Sequence, residues 1–225
     1  MQVISIISEN KQVDVYKSEF SSAPLVIYNS FSNEGPDILK ACQDLSCPSF
    51  SLAVISGLDW NQDMSPWKAS PITKKDAPFA GGADKYISSL LSKILPDILR
   101  EFAVRPSQIF LTGYSMAGLF ALYAAYQTDF FNGIASVSGS LWYPGFIEYV
   151  KSHEPSDSVQ KIYFSLGYKE SHTRNTLLSS VQNNTVEIEE NIKKQEIETI
   201  FELNEGNHFK DHAGRMAKGI KWLLS

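Results

Sequence analysis

Between Ile109 and Tyr126 the chain carries no charged residue for 18 positions, and any fold it adopts must bury that run. The length is the lower edge of a membrane-spanning helix, yet Thr112, Gly113, Tyr114, Ser115 and Gly118 fall near its middle. Glycine and serine at the centre of an apolar run mark a turn rather than a span. The run therefore reads as a buried strand, Gln108–Thr112, a tight turn, and a helix, Ser115–Gln127, apolar on all sides and so internal. The turn is Gly113-Tyr114-Ser115-Met116-Ala117-Gly118, with small residues two before and two after the serine. A sharp strand-to-helix turn needs that spacing, because a larger side chain at either flank would strike the neighbouring backbone.

The remaining elements predict the setting of this turn. Strands are expected at Gln2–Ser8, Gln12–Lys17, Pro24–Tyr28, Ser51–Ser56, Gly133–Val137, Ile162–Leu166 and Thr199–Leu203. Helices are expected at Pro36–Asp44, Lys85–Phe102 with a kink at Pro96, Gly145–Lys151, Thr176–Lys194 and Asp211–Leu224. Gly57–Asp84 reads as a long loop, and loops of that length are commonly functional. No repeat or low-complexity linker divides residues 1–225, which suit a single domain. Strands alternating with helices imply an α/β chain whose sheet is mostly parallel, with helices on both faces. Ligands in such sheets bind beyond the carboxyl ends of the strands.

Composition narrows the partners. The formal net charge is −5, from 20 basic and 25 acidic residues, and a phosphate backbone calls for a basic face instead. Nucleic acid is therefore not expected. The two cysteines, Cys42 and Cys47, are too few for a disulfide framework or a zinc site and fit a reducing compartment. The opening residues lack a basic segment and read as a strand, so the expectation is a cytoplasmic protein with no membrane partner. Homo-oligomerisation is left open.

At the helix N-terminus, Ser115 would meet the free N–H groups that favour developing negative charge. It is the candidate nucleophile, and the Met116 N–H the first oxyanion donor. In sites of this type the acid and the histidine follow later in the chain. Of His153, His172, His208 and His212, only His208 stands in the loop after the last strand. His212, a turn into the next helix, suits a surface or packing role. Glu170 is the one carboxylate in the loop after strand Ile162–Leu166, which makes it the candidate to orient His208. The second oxyanion donor is expected after strand Pro24–Tyr28, at Phe31 with Ser30 next. Trp60, Trp67, Trp142, Tyr143 and Tyr168 gather on loops at the same sheet edge and suggest a pocket for an apolar or aromatic substrate part. Arg174 is a candidate for holding an anionic group. A metal site from His208, Asp211 and His212 lacks the accompanying HExxH pattern, and no metal or cofactor is expected.

With these residues quoted, the chain resembles a known family, the esterases of the esterase D type, which include siderophore trilactone esterases. The carrying segments are Gly113-Tyr114-Ser115-Met116-Ala117-Gly118-Leu119-Phe120-Ala121-Leu122, Ser138-Gly139-Ser140-Leu141-Trp142, Ser165-Leu166-Gly167-Tyr168-Lys169-Glu170 and Gly206-Asn207-His208-Phe209. They cover the chain from near Gln108 to its end. Ala117 departs from the glycine many members carry there, and no HG segment follows Tyr28. The resemblance implies an α/β-hydrolase fold without a large lid, hydrolysis of small carboxylic esters, and Ser115, His208 and Glu170 as nucleophile, base and acid. An acyltransferase or thioesterase could use the same three residues, and a catalytically silent receptor could share the fold.

Overall fold

The computed structural model describes residues 2–103 and 105–225. The chain opens with β1 (Gln2–Ser8) and β2 (Lys11–Lys17), an antiparallel hairpin. Its two-residue turn sets Glu9 at φ 49° and Asn10 at φ 59°, the doubly left-handed turn that matches strand twist. Then follow β3 (Leu25–Asn29), α1 (Gly35–Asp44), β4 (Ser51–Ser56), α2 (Trp60–Asp63), β5 (Lys68–Ala69) and β6 (Phe79–Ala80). Next come α3 (Ala83–Ser89), α4 (Leu95–Glu101), β7 (Ile109–Tyr114), α5 (Met116–Ala124), β8 (Gly133–Val137) and α6 (Phe146–Ser152). The last third holds β9 (Lys161–Gly167), α7 (Thr176–Ser179), α8 (Val181–Lys193), β10 (Glu198–Asn204) and α9 (His212–Leu223).

Eight strands form one sheet in the order β1-β2-β4-β3-β7-β8-β9-β10. The β1–β2 and β2–β4 pairs are antiparallel and all others parallel. Every residue of β3 is buried, because its alternate side chains enter different cores. Leu25 and Ile27 join the larger cluster, while Val26 and Tyr28 join the cluster beneath α1 and α9. That two-sided burial is why the strand reads as a continuous apolar run rather than an alternating one. Helix α5 is buried at all nine positions, which accounts for the uncharged stretch that ends the strand–turn–helix unit.

Three expectations need correction. The segment 57–84 is not an irregular loop: Asp59 caps α2 through the Gln62 N–H, and Lys68 and Ala69 pair with Ala80 and Phe79. Lys11 anchors it to β2 by a 2.6 Å ion pair with Asp63. Helix 85–102 is carried over Pro96 by a π turn, Leu90–Ile94. The widened turn lies where the pyrrolidine ring would otherwise press on the Ser92 carbonyl and where one backbone donor is missing. Helix 176–194 is broken at Ser180, whose N–H and hydroxyl both turn back to the Leu177 carbonyl, displacing the ordinary helical bond.

The turn between β7 and α5 tolerates no extra atom. A Cβ on Gly113 would lie 2.1 Å from the Ala117 oxygen and 2.8 Å from the Ala117 Cβ. Gly57 is also unusual, at φ +77°, but a Cβ there meets nothing nearer than 3.7 Å. Urea unfolding should therefore show Gly113→Ala destabilised by about 1–3 kcal/mol through overpacking. Gly57→Asn, which tolerates the left-handed region, should lose less than about 1 kcal/mol.

Candidate active site

Ser115 sits between β7 and α5 at φ 59°, ψ −122°, a conformation costly for a residue with a Cβ. The surroundings hold it there. Its N–H donates to the Val137 carbonyl at 3.1 Å, and its own carbonyl accepts from Gly118 and Ser140, each at 3.0 Å. The result is a hydroxyl lifted clear of the sheet at the head of a buried helix.

Two further strand ends meet that hydroxyl. The loop after β10 brings His208 Nε2 to 3.0 Å from Ser115 Oγ. The loop after β9 brings Glu170 Oε2 to 2.7 Å from His208 Nδ1. With Glu170 accepting at Nδ1, the proton sits on that nitrogen and Nε2 faces the serine as an acceptor. This is a continuous Ser–His–Glu relay, geometrically able to move a proton off Ser115.

The second oxygen of Glu170 is held more firmly still. Glu170 Oε1 accepts from the Gly167 N–H at 2.6 Å, the Ser138 hydroxyl at 2.8 Å and Arg215 Nη1 at 3.0 Å. Arg215, on α9, is wholly buried. Its Nη2 also donates to the Glu205 and Asn207 carbonyls at 2.8 and 3.0 Å, so one guanidinium ties the acid to the loop that carries His208. Gly167 makes room for it, since a Cβ there would stand 2.6 Å from Nη2. Burial alone would raise the Glu170 pKa. The hydrogen bond and charge of His208, with the Gly167 and Ser138 donors, outweigh burial and hold it below its ordinary 4.5.

Three cavities open at Ser115. One, about 260 Å³, lies over Ile72, Gly139, Trp142, Leu178, Val181 and Phe209. A second, about 350 Å³, is lined by Tyr28, Phe31, Glu34, Trp60, Tyr114, His208, Phe209 and His212. A third, about 350 Å³, runs between Trp60, Ile72, Asp76, Phe79 and Trp142, with Met116 at its base. Of the predicted substrate contacts, Trp60 and Trp142 line this cleft. The other four do not. Trp67 Nε1 donates to the Pro144 carbonyl and the Tyr143 hydroxyl to the Trp67 carbonyl, so that pair fastens the 57–84 segment to the chain after β8. Tyr168, 41% exposed, packs edge-on to His172, and Arg174 is exposed outside the three cavities. Ser30 is corrected too: its N–H is committed to the Ile55 carbonyl at 2.8 Å.

The sequence assigns no role to Glu34 or Arg215 and only a place in a motif to Phe209, while His212, expected in a surface or packing role, lines the cleft instead. Arg215 had a readable signal. It interrupts the helical stripe of Met216, Gly219, Ile220 and Leu223, all buried, and a charge inside such a stripe requires a buried partner. His212 heads α9 with its ring 4.3 Å from that of Tyr114. Among the described residues no group of three or more His, Cys, Asp or Glu side chains is arranged to hold a metal ion. Nor is any helix long and apolar enough to cross a membrane.

Sheet order, serine turn and relay together define a hydrolase of the α/β-hydrolase fold, and no separate lid covers the cleft among the described residues. Residues 50–222 match the family model described as "Putative esterase". The chain belongs to that family and is a carboxylesterase-type hydrolase. It is 21% identical over 201 residues to the Bacillus subtilis (strain 168) "Uncharacterized protein YbbA", covering 86% of this chain and 80% of that one. An IroE-like serine hydrolase from Shewanella oneidensis superposes with TM-score 0.81 at 17% identity, over 99% of this chain and 80% of the other. The siderophore hydrolase EstB from Aspergillus nidulans superposes with TM-score 0.78, also at 17%, over 99% and 94%. At these identities the structural likeness establishes the fold.

Removing Arg215 leaves the Glu170 carboxylate buried without its cation. Arg215→Met should cost about 3–5 kcal/mol in urea unfolding at pH 7. The pH dependence of Glu170 has a definite sign. A folded-state pKa below 4.5 contributes stability that is complete above that value and is lost as pH falls through the depressed one. The stability difference between wild type and Glu170→Gln should thus be constant from pH 8 to pH 5 and shrink towards pH 3.

Proposed function

We propose that the protein hydrolyses carboxylic esters through an acyl-enzyme intermediate on Ser115. His208 takes the Ser115 proton as the hydroxyl oxygen attacks the ester carbonyl. Glu170 fixes the imidazole and stabilises its protonated form. The negative charge that develops on the carbonyl oxygen is met by the Met116 N–H, which as the first helical amide has no intrahelical acceptor. Phe31 supplies the second amide, since the alternative at Ser30 is already bonded within the sheet. His208 then protonates the leaving alcohol, the C–O bond of the ester breaks, and water repeats the sequence to free Ser115 and release the acid. The 3.0 Å contact between His208 Nε2 and Ser115 Oγ carries this reading. The two free thiols favour a reducing compartment, and we place the activity in the cytosol.

A fluorophosphonate probe, which forms a covalent bond only with an activated serine, tests the reading. Wild type should label, and Ser115→Ala should not. On p-nitrophenyl butyrate, Ser115→Ala and His208→Ala should each lower kcat by about 10⁴- to 10⁶-fold and Glu170→Gln by about 10⁴-fold. Folded wild type that neither labels nor turns over any ester of a short-chain panel would overturn it.

A further inference from the structure

The cavity on the α9 side of Ser115 differs in chemistry from the other two. Its walls include Phe31 at 74% exposure and Phe209 at 87%, two large rings that the core does not claim. Phe31 stands edge-on to Trp60 with centroids 5.3 Å apart, and Tyr114 closes the inner side. Among these rings lies one carboxylate, Glu34. Its Oε2 accepts from the Tyr28 hydroxyl at 2.5 Å and lies 2.7 Å from the Ser30 hydroxyl. That anchoring sets the side chain in place, with the other oxygen, Oε1, 3.8 Å from Nε2 of His212, a fellow wall of the cavity.

No cation among the described residues offsets that carboxylate from within the cleft. The lining of all three cavities at Ser115 contains no lysine or arginine, and its carboxylates are Glu34, Asp76 and Glu170. Glu170 is already paired with Arg215 and His208. Next to Glu34, His212 titrates below its ordinary 6.5: burial, with the charges of His208 and Arg215, prevails over the opposing pull of Glu34 and Asp211. His212 is therefore neutral at neutral pH and leaves the carboxylate uncompensated. Aromatic faces attract a cation through their quadrupole, and more strongly where water is partly excluded. A fixed carboxylate among aromatic rings, two of them exposed, in a site whose other walls carry no positive charge, selects one ligand chemistry.

We propose that this cavity, walled by Phe31, Trp60, Tyr114 and Phe209 with Glu34 among them, is a subsite for an ammonium-bearing portion of the ester substrate. The proposal deepens the esterase reading and rests on it for turnover, though not for binding. The cationic head rests in the cavity against the Phe31–Trp60 pair and Phe209 with Glu34 as counter-ion, which brings an ester a few atoms away to Ser115.

Two isosteric ester pairs test it. Choline butyrate is compared with 3,3-dimethylbutyl butyrate, and a 4-trimethylammoniobutyrate ester with its tert-butyl analogue. Each pair exchanges a quaternary nitrogen for carbon at almost constant shape, on the alcohol side and the acyl side respectively. Wild type should favour the cationic member of at least one pair by about tenfold in kcat/KM. Glu34→Gln, which keeps an acceptor for Tyr28, should reduce that ratio about tenfold, and Trp60→Leu should reduce it as well. Binding is read independently by calorimetry with choline on the Ser115→Ala protein, where it should saturate and be weakened by adding Glu34→Gln. Ester turnover with no preference for the cation in either pair overturns the subsite while leaving the esterase reading intact. Choline binding without any ester turnover has the opposite meaning: the subsite stands and the esterase reading falls.

Discussion

A single buried ion pair organises the reactive end of this protein. Arg215 and Glu170 come from the last helix and from the loop after β9, 45 residues apart, and neither has solvent to stabilise its charge. A buried pair of this kind adds little net stability over an apolar pair of equal volume, because desolvation consumes most of the Coulombic gain. What it adds is position. The guanidinium is a rigid planar fork, and here its Nη1 reaches Glu170, Ser138 and Tyr114 while its Nη2 reaches the carbonyls of Glu205 and Asn207. Every element behind His208 is thereby referred to one planar group. Replacement by lysine would keep the charge and lose the fork.

The strain at Ser115 belongs to the same design. A serine at φ 59°, ψ −122° persists only because the hydrogen bonds of β7, β8 and the residues after β8 over-determine it, as strained functional positions require. Gly113 and Ala117 let the backbone pass that closely. The unfavourable torsion directs the hydroxyl away from the sheet, and the buried helix behind it cannot shift to relieve the strain, being packed on every side. Orientation at the serine and orientation at the histidine are thus fixed by separate means, one steric and one electrostatic, and the 3.0 Å contact is where they meet.

Much of this was legible in the sequence because it is local. A buried strand, a small-residue turn and an apolar helix are consecutive, so their pattern alone located Ser115. Chain order then pointed to Glu170 and His208, each sitting directly after a strand whose apolar run is easy to see. Aromatic residues were the reverse. Trp67 and Tyr143 lie at the right sheet edge, yet their polar tips latch to the Pro144 and Trp67 carbonyls. Nothing in a sequence tells a ring that seals two segments together from one that faces a ligand, since both need the same amphipathic side chain. Glu34 was hidden for a different reason: its anchors, Tyr28 and Ser30, lie just upstream, but the rings around it come from 60, 114 and 209. Only the assembled sheet brings them together.

The two halves of the site therefore obey different rules. Behind Ser115 the relay is held by hydrogen bonds to the buried Glu170 and Arg215, and reaction geometry needs that rigidity, because a misplacement of about 1 Å can cost two orders of magnitude in rate. In front, the buried Tyr114 of β7 and the half-buried Trp60 of α2 are joined by two exposed rings on loops, Phe31 and Phe209, which make few demands on the core. Changes there alter what the cleft accepts without disturbing the relay, and so one sheet can serve esters of differing charge. Fold likeness at 17% identity speaks only for the scaffold beneath both halves. The second half must be read from its own residues, because specificity resides in the site and not in the scaffold. In this chain those residues carry negative charge and aromatic faces, with no cation of the cleft to oppose them.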